Sequence, residues 1–378
     1  MQSGVNIQPI HLHRRADRNR FIDVPYRLHA DEPHWRAPLR LSQASVLNTK
    51  KNPFFQQARV AAWLALQNGL PAGRIAAIVN PAHNDFHEDK VGFFGFFECV
   101  NDRGLAEALF DKAAEWLRQN GMETMRGPAN PSTNDECGML IDPFDKPPML
   151  MTPYNPPYYP QLMDALGFEK AQDLYMLLIS HEGGGMDERI FRIADRLEKR
   201  MSVKIRPINL NDVRSELASF KELYHSSWER NWGFVPLSDA ELDYIAGDLK
   251  TVVHPSSSLF AEADGRLVGA CVCLYDMNEI LADNRSGRLF PLGLWRVLTA
   301  KKRVKGLRIF LLGVVPEYRN RGLDAVLYAR IFRNAGVQDE MTHGEMGWVL
   351  ESNENMIQAG LKMGGKIYKT YRIYDRPL

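Results

Sequence analysis

The chain has 378 residues, 45% of them hydrophobic and 25% charged, a balance that excludes a disordered protein and leaves room for two domains or one large one. A net charge of +1 supplies no global field to gather nucleic acid, and Cys99, Cys137, Cys271 and Cys273 have neither the spacing of a zinc site nor that of a disulfide framework. The N-terminus has no apolar leader-like core and no run reaches the ~18 residues of a membrane span, so a reduced, cytoplasmic protein is expected.

Residues 6–12 alternate as an edge strand would, with Pro9 keeping them from a central position. The stretch 14–20 leads into a helix through Phe21 and Tyr26, and its arginines read as a solvated face or an anion contact. Pro33 to Pro53 reads as an extended loop. A strand from Arg59 to Leu66, a tight turn at Asn68-Gly69 and a strand from Ala72 to Val79 form a hairpin. Val91–Cys99 is a strand with aromatic residues on both faces, as in a strand buried between layers. Asp102 is placed to cap a helix over Arg103–Gln119, and Gly121 lies beyond its end. A strand at 122–127, an irregular polar loop from Asn130 to Asn155, a helix from Pro156 to Leu166 and a strand from Asp173 to Ile179 follow.

Glu182-Gly-Gly-Gly-Met186 interrupts the pattern ahead of a charged helix from Asp187 to about Lys199. This places an N-terminal domain at 1–183, a helical linker at 184–201 and a C-terminal domain at 202–378. The second half begins with a strand from Val203 to Leu210 and a helix capped by Asn211. The capping-box spacing Ser238-Asp-Ala-Glu241 opens another helix. Strands Leu259–Ala263 and Leu267–Tyr275 meet at Asp264-Gly265. Beyond an insertion at 285–303 comes the strand Gly306–Val315, a basic turn to Gly322 and a helix from Leu323 to about Ala335. A strand from Glu345 to Glu351, a helix from Asn353 to Met363 and a strand from Lys366 to Tyr374 complete the chain.

A strand that passes through Arg319-x-x-Gly322 into a helix N-terminus is a place to hold phosphate, because the first helical N–H groups lack partners and the macrodipole is positive there. The halves also repeat. Gly69 and Gly73 match Gly265 and Gly269, Arg103-Gly104-Leu105 matches Arg321-Gly322-Leu323, and Asn155 and Asn353 each precede a helix closed by glycine. Each helix is then followed by a tyrosine-bearing strand, with Tyr175 in one half and Tyr368 in the other.

Val315-Pro-Glu-Tyr-Arg-Asn-Arg-Gly322, together with the order β-α-α-β-β-β-α-β-α-β, resembles the GNAT N-acyltransferase superfamily, and the repeat resembles a tandem GNAT protein. Asn52-Pro-Phe-Phe55, Gly127-Pro-Ala-Asn-Pro-Ser132, Tyr154-Asn-Pro-Pro-Tyr158 and Glu351-Ser-Asn353 are similar to a bacterial group of two-domain GNAT proteins. The resemblance implies an α/β (α+β) fold of two GNAT-like domains, each a mixed, mostly antiparallel sheet flanked by helices. It implies acetyl-CoA or another acyl-CoA as donor, a primary amine on a small-molecule or lipid-like acceptor, and direct transfer.

By the same resemblance, Leu312, Gly313, Val314 and Val315 would face the pantetheine, and Arg319, Asn320, Arg321, Gly322, Asp324 and Ala325 would form the pyrophosphate loop. Asp324 stands where the pattern has glycine or alanine, and its carboxylate would repel a diphosphate. Glu351, next to Asn353, is the expected base, with Glu345 and His343 as other candidates. Gly360 stands where such enzymes often carry a tyrosine. The polar loop bearing Asn130, Asn134, Asp135 and Glu136, with Tyr158, reads as an acceptor pocket or as a surface loop closed by its own turns. The insertion places apolar residues between basic ends, which suits a membrane surface, a long acyl chain or packing on the other domain. Two alternatives to a soluble N-acyltransferase are an inactive acyl-CoA- or partner-binding protein and a peripheral membrane enzyme using a long-chain donor.

Overall fold

The structure, a computed structural model, describes residues 5–180, 187–227, 231–290, 299, 303–319, 321–338 and 340–378. Two compact units interleave along the chain: Met1–Asp173 with Leu281–Val297 and Thr370–Leu378 form the first, and Leu174–Ile280 with Leu298–Lys369 the second. The chain is thus not divided at a single linker over 184–201.

The elements that build the first unit begin with β1 (Asn6–Ile10), α1 (Arg15–Leu28), α2 (Arg40–Val46), β2 (Arg59–Gln67), β3 (Leu70–Val79), α3 (Pro81–His87), β4 (Val91–Cys99) and α4 (Arg103–Gln119). They continue with β5 (Thr124–Gly127), β6 (Ala129–Asn130), β7 (Glu136–Cys137), β8 (Met139–Asp142), α5 (Tyr158–Ala165) and the start of β9 (Glu169–Ser180), whose remainder from Leu174 belongs to the second unit. The second unit contains α6 (Glu188–Met201), β10 (Lys204–Pro207), α7 (Val213–Ser227), α8 (Asp239–Leu249), β11 (Leu259–Ala263), β12 (Arg266–Tyr275) and α9 (Met277–Ile280). It also holds β13 (Gly306–Val314), α10 (Leu323–Phe332), β14 (His343–Leu350), α11 (Glu354–Lys362) and the start of β15 (Lys366–Pro377).

In the first unit β1, β2, β3 and β4 are antiparallel neighbours, and β4 pairs with β5 in parallel. The sheet is completed by the end of the chain, with Tyr374 opposite Gly127 on β5 and Tyr371 opposite Leu140 on β8. The β2–β3 hairpin closes at Asn68 (φ 54°) and Gly69 (φ 78°), the left-handed pair that a two-residue turn demands. Helix α4 starts where the Asp102 carboxylate accepts from the Leu105 amide, and it lays Leu105, Leu109, Phe110, Ala113 and Leu117 on the aromatic residues Phe94 and Phe97 of β4. Besides α3, which the sequence reading lacks, two features depart from it. The stretch Pro33–Pro53 carries α2, and the polar loop after Asn130 contains β7 and β8.

Helix α3 starts with Asn80 as cap and Pro81 behind it, and it carries His83 into the core. His83 is 1% exposed, edge-on to the Phe93 ring and beside His87. Burial lowers its pKa from 6.5 to about 4, against the pull of Asp89. A folded-state pKa below the unfolded value means that the unfolded chain binds a proton the folded chain refuses. Stability is therefore fully present above about pH 6.5 and declines as pH falls toward 4. In urea titrations from pH 7 to 4, wild type is expected to lose up to about 1.4 kcal/mol per pH unit relative to His83→Phe; identical slopes would refute this assignment.

In the second unit the strands run β9-β14-β13-β12-β11-β10, with β13 and β14 parallel and the remaining pairs antiparallel. The β11–β12 turn repeats the hairpin device at Asp264 (φ 49°) and Gly265 (φ 78°). Helix α8 has the full capping box of Ser238 and Glu241. At the start of α7, Asp212 and not Asn211 accepts from the Ser215 amide. Helix α6, read in sequence as a linker, is instead packed on α10 through the ion pairs Arg330–Glu198 and Arg333–Asp195. Its residue Ala194 joins Leu223, Phe260, Cys271, Val326, Leu327 and Met346 in one core. Among the described residues no helix is long and apolar enough to cross a membrane.

Candidate active site

Strands β13 and β14 of the second unit are paired from Gly306/His343 to Ile309/Met346 and then part. Beyond that vertex, Phe310, Leu311 and Leu312 are partly exposed, and among the described residues β13 retains its ladder only on the β12 side, through Val314 opposite Gly269. One edge of β13 thus offers backbone N–H and C=O groups to an extended ligand. Beyond the strand Gly322, in the left-handed region at φ 86°, turns the chain into α10, whose N-terminus has no side-chain cap among the described residues. A Cβ at Gly322 would also meet Leu197 Cδ1 at 2.7 Å. The exposed Arg321 guanidinium lies over the Tyr318 ring, 4.6 Å from its centroid.

The α10 side of the vertex is apolar. A small cavity lies among Leu307 and Ile309 of β13, Ile331 and Phe332 at the end of α10, Ala335 just beyond it, and Met341. Tyr328 of α10 also lines it, and its hydroxyl donates to the sulfurs of Met346 (2.9 Å) and Met356 (3.1 Å). Burial raises its pKa and keeps the phenol protonated. On the other side Arg308 donates from Nη2 to the Gly347 carbonyl (3.3 Å), just past the parting. Arg308 is the register partner of Glu345, whose carboxylate accepts from the hydroxyl of Tyr368.

The equivalent place in the first unit is filled by the chain itself. β4 and β5 pair from Val91/Thr124 to Phe93/Arg126, and the following residues stay against β4. A Cβ on Gly95 would overlap the Ala129 carbonyl, and the Phe96 amide (φ 52°) donates to Asn130 Oδ1 at 2.5 Å. The N-terminus of α4 is closed as well, by Asp102, whose other oxygen takes Gln67 Nε2. Behind this closed cleft, Glu98 accepts from Tyr159 (2.8 Å) and Arg74 (3.5 Å) and pairs with His29 Nε2 (2.7 Å). Burial alone would raise the Glu98 pKa. His29, Arg74 and the Tyr159 hydrogen bond outweigh it and hold the carboxyl below its ordinary value.

Of the residues singled out in sequence, Leu312, Gly313, Val314, Arg321 and Gly322 lie along the open edge and the turn that follows it, and Asp324 and Ala325 lie in the first turn of α10. Val315 is buried in the core, and Asn320 lies outside the described residues. Arg319 is committed to protein carbonyls, those of Val314 (3.3 Å) and Ser227 (2.7 Å). Glu351 is half-buried in the turn after β14, and Asn353 spends its side chain capping α11 at the Met356 amide. At Gly360 a Cβ would meet Leu177 Cδ2 at 2.6 Å and Met346 Cε at 2.7 Å, so no tyrosine fits there.

The polar loop of the first unit is turned in on itself. Asn130 is held by Phe96, Ser132 donates to Asp135, the Asn134 amide reaches Ser132, Glu136 pairs with Asn130 across the β6–β7 ladder, and Tyr158 donates to Cys99 O. In the insertion, Arg285 donates to the carbonyls of Glu32 and Trp35, and at Gly287 (φ 64°) a Cβ would overlap the Tyr26 ring. Phe290 is 71% exposed, and the apolar part expected at a membrane or acyl chain, residues 291–298, lies outside the described residues. Arg308, Tyr328 and Tyr368 were not singled out for chemistry in sequence. The first sits in an apolar run, and the tyrosines are brought to the vertex from other elements.

No family model matches the chain. Over 374 residues it is 34% identical to the bacterial ceramide synthase of Caulobacter vibrioides, covering 96% of this chain and 95% of that protein. It is 31% identical to the protein YghO of Escherichia coli, covering 96% and 94%. Among solved structures, a tandem GNAT protein from the clavulanic acid biosynthesis pathway superposes with a TM-score of 0.61 at 12% identity, over 99% of this chain and 98% of that one. That likeness shows the tandem GNAT fold.

Proposed function

The chain belongs to one family with the bacterial ceramide synthase of C. vibrioides and YghO of E. coli, and on that premise we propose that it is an acyl-CoA-dependent N-acyltransferase acting on a long-chain, lipid-like primary amine. The observation that carries the reading is the parting of β13 from β14 beyond Ile309 and Met346. An extended pantetheine can pair there with the free edge of β13, and a strand N–H is then available to polarise the thioester carbonyl. The left-handed turn at Gly322, the uncapped start of α10 and exposed Arg321 suit the pyrophosphate. The apolar cavity beside Ile309 suits the first methylenes of an acyl chain. The donor is assigned to the second unit because Asn130 and the chain around Ala129 occupy the corresponding space in the first.

Isothermal titration with a long-chain acyl-CoA is expected to give one site per chain. Arg321→Glu should weaken it about tenfold, a loss of about 1.4 kcal/mol. Two sites per chain, or no heat with any acyl-CoA, would overturn the assignment. Asp324 in the first turn of α10 favours the competing reading of a donor-binding protein without turnover. Amide formation from acyl-CoA and a long-chain amine separates the two.

A further inference from the structure

A buried, incompletely satisfied carboxylate stands one residue from the vertex. Glu345 is 0% exposed, yet among the described residues its Oε1 has no hydrogen-bond partner. Arg308 Nε is 3.7 Å from it, beyond hydrogen-bond length. Oε2 accepts from Tyr368, a half-buried residue of β15, and the Lys369 ammonium lies 4.9 Å from the centroid of the Tyr368 ring. Because Leu307 and Ile309 face the cavity under α10, alternation puts Arg308 and its register partner Glu345 on the opposite face of the sheet. A carboxylate buried purely for structure has its oxygens satisfied, since an unmet acceptor costs about 1–3 kcal/mol. Glu345 keeps one in reserve.

We propose that Tyr368 and Glu345 form the proton path of the acyl transfer, with Tyr368 meeting the amine and Arg308 fixing the carboxylate at the vertex. The inference rests on the reading of the β13–β14 opening as the thioester site. The amine nitrogen forms the C–N bond to the thioester carbonyl as the C–S bond breaks and its electron pair leaves on the CoA sulfur. The proton lost from nitrogen passes to the phenol oxygen of Tyr368 while the phenol's own proton moves to Glu345. Its return along the same path to the thiolate restores both groups and gives amide and free thiol. Tyr368 is the catalytic residue of this pair, and Glu345 and Arg308 are positioning residues that act through it.

The test uses full-length protein, a long-chain acyl-CoA and a long-chain 2-amino-1,3-diol. Tyr368→Phe, which keeps the ring and its packing, is expected to lower kcat by about 10²-fold or more while leaving the acyl-CoA Kd within about twofold. Glu345→Gln should reproduce that split, and Glu345→Asp should recover part of the rate. Variants that turn over within about threefold of an active wild type would overturn the relay and leave the acyltransferase reading standing. Loss of kcat matched by equal loss of acyl-CoA affinity would make the cluster a support of the cleft and also overturn it. Wild-type protein that binds acyl-CoA but forms no amide would overturn both.

Discussion

Deleting Thr370–Leu378 is expected to abolish the native fold of the first unit. These residues bring in Tyr371, Ile373 and Tyr374, each at most 2% exposed, and pair with β5 and β8. They also supply Arg372, bidentate to Asp173 (2.7 and 3.0 Å), Asp375, bidentate to Arg126 (2.8 and 2.7 Å), and Arg376, set over the Phe168 ring. Truncating one large core residue costs about 2–5 kcal/mol, whereas a domain's total stability is about 5–15 kcal/mol. Losing three with a strand's ladder exceeds that margin. Limited proteolysis should then cut within 59–127, a stretch expected to resist cleavage in the full-length protein. An equally resistant truncated chain would refute the expectation.

The second large effect is expected at Glu98. Replacing it by alanine leaves Arg74, 4% exposed, and His29, 1% exposed, without their carboxylate and removes the acceptor of Tyr159. Breaking a buried ion pair from one side costs about 3–5 kcal/mol, because the remaining charge stays desolvated. Burial already pulls the pKa of Arg74 down, and Glu98 is the main group opposing it. Urea unfolding of Glu98→Ala, Arg74→Met and the double variant should give a double-variant loss smaller than the sum of the single ones. Additive losses, or less than about 1 kcal/mol for Glu98→Ala alone, would show that the network is not energetically coupled.

What the sequence reveals about this molecule is largely what local chemistry decides. Both two-residue hairpins, the limits of β4 and α4, the Asp102 cap and the Ser238–Glu241 box follow from residues within a few positions of each other. The glycine turn into a helix at Gly322 is legible for the same reason. Helix α3 was missed although Asn80-Pro81 is a start signal, because its seven residues carry too little apolar periodicity. The interleaving of units is decided by pairings between residues far apart in sequence, such as Tyr374 with Gly127 and Leu350 with Leu174, and no local pattern encodes it. The same holds at the vertex. Glu345 is visible as a carboxylate on a strand, but its meeting with Tyr368 and Arg308 depends on three strands. The polar loop after Asn130 suggested an acceptor pocket by composition, and its side chains instead satisfy their own backbone and that of β4.

The exchange of end strands also imposes an order of events on synthesis. The first unit, although its other strands are translated early, lacks an interior strand until Thr370–Leu378 have been made, since these residues lie against β5 and β8. β9, made midway, carries Leu174, Met176, Leu177 and Ile179 for burial in the second unit and has no β14 to pair with until that strand is made. An apolar strand with open edges is the kind of surface that aggregates. The growing chain is thus exposed to mispairing until β14 and then Thr370–Leu378 have been made.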